Sequence, residues 1–162
     1  AGAILAGAML FSGCYGALIA AARPGGFMGI TLPPQVFLVI PLSNMFLFAI
    51  TISAALKART NAQSHKRWIL LSSINLIEAA IGRWPISFVT EPSPLPFIDT
   101  SALLTLLFLL PMLAWDLFSR QRPHRVTLIG ATLLAAVMIL RMPLAQTSTW
   151  QSFATWAIEL VR

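Results

Sequence analysis

The chain has 162 residues, enough for one domain, of which 57% are hydrophobic and only 10% are charged. Soluble domains carry about 25% charged residues, so this chain is too poor in charge to cover a surface that faces water. A net charge of +6 would suggest a nucleic-acid partner for a soluble protein, but here the basic residues form short clusters between apolar runs. That arrangement favours anionic lipid headgroups and excludes nucleic acid as the expected partner.

Five apolar runs predict five membrane-spanning helices in a single domain, which is an all-α polytopic bundle. The runs lie near residues 1–22, 36–56, 68–84, 101–119 and 126–145. They lack the strict alternation of membrane-barrel strands, so a barrel is excluded. A further segment near 148–160 spaces its aromatic residues as a helix does, and it is predicted to be a short amphipathic helix on the membrane surface.

The first run is rich in small residues, and Ser12, Gly16 and Ala20 recur every four positions. Such a stripe lets a neighbouring helix approach closely.

The chain opens inside an apolar segment without Met, so we expect the natural N-terminus to lie further upstream. Proline and glycine predict loops at 23–35 and 85–100.

Pro111 interrupts the fourth run and predicts a kink there.

Seven of the eleven Lys and Arg residues lie at 57–67 and 120–125. In a chain with five spans these two turns share one side of the membrane. The positive-inside rule makes that side cytoplasmic, which fits a bacterial inner membrane. Residues that suit the two membrane–water interfaces are Arg83, Trp68, Trp84, Trp150 and Trp156.

The third run carries polar residues that hydrocarbon makes costly. One broad face of the predicted helix contains His65, Ser72, Asn75, Glu78 and Gly82. An ionisable group within a membrane needs a partner inside the protein, and Glu78 has two candidates at compatible depth, Asn44 and Arg141. Two interpretations remain open. The face is either a structural bridge that fixes helix packing, or a polar path for a proton or a pocket for a polar headgroup or quinone.

His65, Asp116 and His124 form a second candidate cluster at the basic end. Imidazoles with a carboxylate can bind iron or zinc, and two histidines can ligate haem. Against this, Arg120 follows Asp116 by four residues, which is the favoured spacing for a local ion pair. The alternative is a pair of interfacial histidines bonded to helix ends or headgroups, with no metal site.

Two segments carry a resemblance to a known group. They are His65-Lys-Arg-Trp-Ile-Leu-Leu-Ser-Ser followed by Glu78-Ala-Ala-Ile-Gly-Arg-Trp-Pro, and Asp116-Leu-Phe followed by Pro123-His-Arg-Val-Thr-Leu-Ile-Gly. Together with the Trp-containing tail they resemble uncharacterised bacterial multi-pass membrane proteins over roughly 36–160. The resemblance implies that the first positions to test are His65, Arg83, Asp116, His124 and Arg141.

Catalytic motifs are absent from the sequence: there is no Gly-rich phosphate loop, Gly-X-Ser-X-Gly elbow, cysteine pair or His-Glu-X-X-His. The leading hypothesis is a non-catalytic accessory or scaffolding subunit of a larger bacterial complex, photosynthetic or respiratory. Its partners would be the lipid bilayer and other membrane subunits. The alternatives are a small redox or cofactor-binding protein that holds haem or quinone, and a carrier for a proton or small solute along the Glu78 face.

Overall fold

The computed structural model describes residues 2–23, 32–84, 95 and 97–162. These residues form an all-α bundle, as the sequence predicts. The predicted loop residues 24–31, 85–94 and 96 lie outside the described residues. The helices are α1 (Gly2–Ala22), α2 (Pro34–Lys57), α3 (Ala62–Ile81), α4 (Thr100–Leu107), α5 (Leu109–Arg120), α6 (Arg125–Ala145) and α7 (Ser148–Glu159).

Four segments of the described chain are long and apolar enough to cross a membrane. They are α1, α2, α6 and the continuous stretch Thr100–Arg120 that contains α4 and α5. With 20 residues α3 has a similar length, but its buried face includes Arg67, Asn75 and Glu78, which lower its mean hydropathy. A fifth span formed by α3 therefore stays a prediction.

The observed α3 begins earlier than the predicted run at 68–84 and ends at Ile81. Asn61 starts it, because its side-chain oxygen accepts a hydrogen bond from the Ser64 N–H at 3.0 Å, the usual arrangement at a helix N-cap. The basic residues Lys66 and Arg67 are thus inside the helix and not in the preceding turn. This shift brings Arg67 onto the packed face of α3.

The helix that contains Pro111 is interrupted three residues before the proline, at Phe108, while the kink itself stays a prediction. Proline has no N–H to donate to the carbonyl of Leu107, and its ring clashes with that carbonyl in a regular helix. The chain responds by ending α4 at Leu107 and starting α5 at Leu109.

Helix α2 lies at the centre of the bundle and packs against α1, α3, α6 and α7. On one side Leu47 is buried with Leu71 of α3 and Leu134 of α6. On another side Leu38 is buried with Ala154 of α7. The buried interior is therefore arranged around α2, and it is there that polar side chains from several helices meet.

Contact between α1 and α2 uses a different stripe of small residues from the predicted one. A Cβ atom added at Gly13 would lie 2.2 Å from the Met45 sulfur, and Ala17 and Ala21 are buried. Gly16, a member of the predicted stripe, has nothing within 4 Å of its Cβ position. The prediction is wrong within this chain, because α1 is rotated by one residue so that Gly13, Ala17 and Ala21 face inward.

The tail forms α7 close to the predicted bounds, and it packs on the protein. Ala154 and Ile158 are buried against α1 and α2. The Trp150 indole N–H donates to the carbonyl of Gln35 at 2.9 Å, while Trp156 on the outer face is 58% exposed. This helix therefore buries its small face on its own bundle and leaves aromatic surface outside.

Gly130→Ala is expected to destabilise the bundle by about 1–3 kcal/mol, because overpacking a tight core forces side chains out of place. The added Cβ would lie 2.1 Å from Cδ1 of Leu71, whose side chain is fully buried. The control is Gly16→Ala, which meets open space and gains helix propensity. Thermal unfolding in detergent measures both variants, and equal melting temperatures would contradict the close contact of α3 with α6.

Candidate functional site

Buried charged side chains form two clusters along the inward face of α3. The first cluster contains Arg67 and the second contains Glu78, 11 residues further along the helix. At 1.5 Å rise per residue they are separated by about 16 Å. Each cluster joins α3 to residues of α6 and of the α4–α5 segment, so the two sites lie at different depths in the same bundle.

In the first cluster Arg67 is paired with Asp116 of α5. The other carboxylate oxygen of Asp116 accepts the backbone N–H of His124 at 2.9 Å and the hydroxyl of Thr127 at 2.5 Å. The spacing of four residues predicts a pair between Asp116 and Arg120, and this prediction is wrong because Asp116 faces the core while Arg120 is exposed. One cation and one anion balance each other here, and together they hold the start of α3 to α5 and α6.

This pair also places the two basic turns, 57–67 and 120–125, at the same end of the bundle. Arg67 lies near the start of α3, shortly after the turn that follows Lys57, and His124, whose N–H donates to Asp116, lies in the 120–125 turn. A five-span chain requires this arrangement.

In the second cluster Arg141 of α6 is 2% exposed and uses all five of its N–H groups. Nε donates to Asp99 at 3.1 Å, and Nη1 donates to Glu78 at 3.0 Å and to Asn44 at 3.4 Å. Nη2 donates to one oxygen of Glu78 and one of Asp99. Since guanidinium has five donors in total, Arg141 has none left for another ligand. The pairing with Glu78 and Asn44 is among the alternatives that the sequence left open.

Ser101 lies between the two carboxylates of this cluster. Its hydroxyl oxygen is 2.6 Å from Oδ1 of Asp99 and 3.1 Å from Oε1 of Glu78. A serine hydroxyl has one hydrogen, so it can donate to only one of them. Asp99 also accepts the N–H of Ala102 at 2.9 Å and thereby caps α4. Burial raises the pKa of Asp99, but Arg141, Ser101 and Ala102 outweigh it and hold the pKa below its ordinary value.

The charges of the second cluster do not balance when both carboxyl groups are ionised. Glu78 and Asp99 contribute two negative charges, and Arg141 contributes one positive charge. A buried charge without a partner is costly in a medium of low dielectric constant. The three side chains therefore carry one net negative charge when both carboxyl groups are ionised, and Arg83, a further cation, lines the cavity beside Glu78.

A cavity of about 160 Å³ opens beside this cluster, between α2 and α3. Its polar lining comes from Asn44, Glu78 and Ser101, and Arg83 also lines it. The apolar part of the wall consists of Phe37, Ile40, Pro41, Met45, Leu76, Ala79 and Gly82. The site thus combines a small apolar chamber with a few polar and charged side chains, the combination expected of a small-molecule site.

Two polar atoms lie buried between the clusters without a hydrogen-bond partner among the described residues, Oγ of Ser72 and Oδ1 of Asn75. The Asn75 amide N–H₂ donates to the backbone carbonyl of Asn44 at 2.8 Å. Buried groups of this kind are usually satisfied by ordered water. Ser72, Asn75 and Glu78 succeed one another at intervals of three residues on α3, so these two polar residues lie on the same broad face of the helix as Glu78.

The histidines are bonded to backbone groups at the end of the bundle that carries the basic turns. His65 Nδ1 lies 2.8 Å from the Ala55 carbonyl, and His124 Nδ1 accepts the Val126 N–H at 3.1 Å. Among the described residues no three His, Cys, Asp or Glu side chains are grouped to hold a metal ion. Haem or quinone binding by His65, Asp116 and His124 stays a prediction, while the bonds present match the alternative of histidines at helix ends.

Sequence reasoning missed three residues of the two clusters: Arg67, Asp99 and Ser101. Arg67 was counted only as a loop charge, although helical spacing places it on the Glu78 side of α3. Asp99 and Ser101 follow a proline-rich stretch and precede an apolar run, which is the signal of a helix N-cap. The residues predicted to lie at the interfaces differ in exposure. Trp68 is partly buried and packs on the core, whereas Trp84 is 46% exposed.

No protein-family description, curated protein or solved structure matches this chain.

Lowering the pH from 7.5 to 5 is expected to weaken the start of α6. Burial lowers the pKa of His124, and Arg67 and Arg120 lower it further against the opposing effect of Asp116. The folded chain thus prefers neutral His124, whose Nδ1 accepts the Val126 N–H. This stabilisation is present above about pH 6.5 and is lost as the pH falls through the lower folded pKa.

His124→Asn keeps an N-cap side chain that does not titrate. Between pH 7.5 and pH 5, the melting temperature of the variant is therefore expected to decrease less than that of the wild type. An identical loss in the two proteins would show that His124 does not contribute to the pH dependence.

Proposed function

We propose that this protein is an integral membrane carrier in which the second cluster takes up and releases one proton as it moves a small solute. The observation that carries the proposal is the sharing of one guanidinium, Arg141, by two buried carboxylates beside a cavity. A proton on one carboxyl group neutralises the cluster, and loss of that proton makes it anionic. Intramembrane carboxyl groups of this kind are typical of proton relays and ion pathways.

The carboxyl group assigned to this exchange is that of Glu78. Ser101 links it to Asp99, because the serine hydroxyl oxygen lies 2.6 Å from Oδ1 of Asp99 and 3.1 Å from Oε1 of Glu78. Glu78 also lines the cavity, so a proton leaving it has a route out of the cluster.

Proton flux into liposomes that contain the purified protein tests this proposal. Glu78→Gln is expected to abolish proton-coupled flux, because the amide cannot exchange a proton. Its fold should be retained, because Arg141 and Asp99 alone form a neutral pair. Glu159→Gln, which alters an exposed carboxyl group at the end of α7, is the matched control and should leave flux intact. Unchanged flux in Glu78→Gln would refute the assignment.

The proposed orientation places the two basic turns in the cytoplasm of a bacterial cell, with α3 as the fifth span. The excess of Lys and Arg in 57–67 and 120–125 supports it. The resemblance to bacterial multi-pass proteins supports the inner membrane. Single cysteines introduced at 59 and 122 in a Cys14→Ser background should resist an impermeant thiol reagent in intact cells. A cysteine at Thr147, at the opposite end of the bundle, should react.

A second candidate function is an accessory subunit of a larger membrane complex, and α1 favours it. Its outer face is highly exposed, with Phe11 76% and Ile4 78% accessible, and Gly7 and Gly16 have nothing within 4 Å of their Cβ positions. Glycines on an apolar helix allow a second helix to approach closely, so the expected occupant is a membrane helix of another subunit. Gly16→Leu should release a partner that co-migrates with the wild type in mild detergent, and a wild-type chain that migrates alone at native expression level would exclude this role.

A further inference from the structure

We propose that the turn between α5 and α6 binds the headgroup of an anionic phospholipid, whose acyl chains cover the end of α5 and the start of α6. The site lies at the end of the bundle that carries the basic turns, so it is separate from the cavity beside Glu78. Three features of the described residues carry this inference: the excess of positive charge at this end, the exposure of the basic side chains, and the exposed apolar side chains one helical turn away from them.

The excess of positive charge is confined to one end of the bundle. Seven of the eleven Lys and Arg residues lie there, whereas the sequence contains no Asp or Glu at 24–77 or at 117–158. The acid at this end, Asp116, is buried and paired with Arg67. Six cations are therefore left without an acidic partner among the described residues. They are Lys57, Arg59, Lys66, Arg120, Arg122 and Arg125, and all six are exposed.

Hydrogen bonds hold the segments that carry these cations together. Asp116 of α5 binds both Arg67 of α3 and the backbone N–H of His124 at the start of α6. Nδ1 of His65 lies 2.8 Å from the Ala55 carbonyl near the end of α2. Each of the six cations is within four residues of one of these bonded groups. The cations therefore belong to one surface, and their charges act on it together.

Exposed apolar side chains lie one helical turn from two of the arginines. On α5 the exposed Leu117 precedes Arg120 by three residues, and on α6 the exposed Leu128 follows Arg125 by three residues. Residues three apart share a helix face and differ by about 4.5 Å along the axis. Phe118, which is 84% exposed, widens the apolar surface of α5. Both helices belong to segments that could span a membrane, so the arginines suit the headgroup level and the apolar side chains suit the hydrocarbon.

This arrangement decides the class of ligand. An acidic peptide or a nucleic acid would contact the arginines but would leave Leu117 and Leu128 uncovered. A phospholipid matches both parts, because its phosphate accepts hydrogen bonds from guanidinium groups and its acyl chains contact the apolar side chains. A zwitterionic headgroup adds an ammonium group, which the neighbouring arginines repel. The surface therefore favours a lipid whose headgroup has a net negative charge.

Native mass spectrometry of the full chain in an uncharged detergent tests the inference, with phosphatidylglycerol and phosphatidylcholine of identical acyl chains as probes. We expect phosphatidylglycerol to bind more tightly. The double variant Arg120→Gln, Arg125→Gln should weaken its binding by about 10- to 30-fold, because each basic residue near an anionic lipid contributes about fivefold. Arg162→Gln is the matched control, since Arg162 is exposed and lies beside the end of α1, at the opposite end of the bundle. This control should bind phosphatidylglycerol as the wild type does.

Two further variants separate lipid binding from folding and from the proposed proton exchange. Arg120→Lys with Arg125→Lys keeps both charges and should keep the preference for phosphatidylglycerol. Glu78→Gln should also keep it, because Glu78 lies deeper in the bundle, about 16 Å along α3 from Arg67. Equal binding of the two lipids by the wild type, or an unchanged preference in the double Gln variant, would overturn the inference and leave the proposed function standing. Tighter binding of polyglutamate or of an oligonucleotide than of phosphatidylglycerol would overturn it by identifying a soluble polyanion as the partner.

Discussion

Arg141→Met is expected to destabilise the protein by about 3–5 kcal/mol, the cost of leaving buried charge without a partner. Glu78 and Asp99 would then face each other with the guanidinium between them removed. Asn44 would lose a donor as well. Neither carboxylate of this pair has another cation among its described contacts, so the repulsion must be relieved by binding protons or by opening the bundle.

A matched triple variant separates charge from packing. Arg141→Met combined with Glu78→Gln and Asp99→Asn removes all three charges, and it should recover most of the loss, because well-packed neutral groups often replace a buried ion cluster without cost. Asn at position 99 keeps the N-cap of α4. Chemical unfolding in detergent measures the series. A triple variant as unstable as Arg141→Met would show that the shape of Arg141, and not its charge, stabilises the core.

The helices follow from the sequence because apolar length and helix-ending residues are local signals. The bounds of α2 and α6 match the predicted runs within two residues, and Pro111 marks the helix that is interrupted at Phe108. The rotation of each helix about its axis is not local. Gly13 and Gly16 both suit a close contact, and packing with the rest of the bundle decides between them: Gly13 faces Met45 of α2, and Gly16 has nothing within 4 Å of its Cβ position.

In the candidate site too, some contacts can be predicted from the sequence and others depend on tertiary packing. The partnership of Glu78 with Arg141 can be anticipated, because hydrocarbon forces a buried acid toward a buried base. Asp99 cannot be anticipated as the third member, because the sequence around it indicates a helix start but not which side chains that helix start packs against. The assignment of Asp116 to Arg120 failed for a related reason. The spacing of four residues favours a local pair, but burial of Asp116 favours Arg67, which arrives from another helix.

Arg67→Gln is expected to be more destabilising than Asp116→Asn, although each breaks the same ion pair. Without Arg67, the carboxylate of Asp116, whose side chain is 1% exposed, stays buried with only the Thr127 hydroxyl and the His124 N–H to stabilise it. We expect a loss of about 3–5 kcal/mol. In Asp116→Asn the amide oxygen still accepts these bonds. Arg67, with a side chain 10% exposed, can extend toward the interface, so the loss should be about 1–2 kcal/mol.

The double variant Arg67→Gln, Asp116→Asn completes a cycle that measures the coupling directly. It should be more stable than Arg67→Gln alone, because removing the charge of Asp116 relieves the uncompensated anion. Lowering the pH should act in the same direction on the Arg67→Gln variant, since protonation of Asp116 also removes that charge. If Asp116→Asn proves the more damaging change, the uncompensated charge belongs to Arg67. The basic end of α3 is then sealed from water, and Arg67 cannot reach the lipid headgroups.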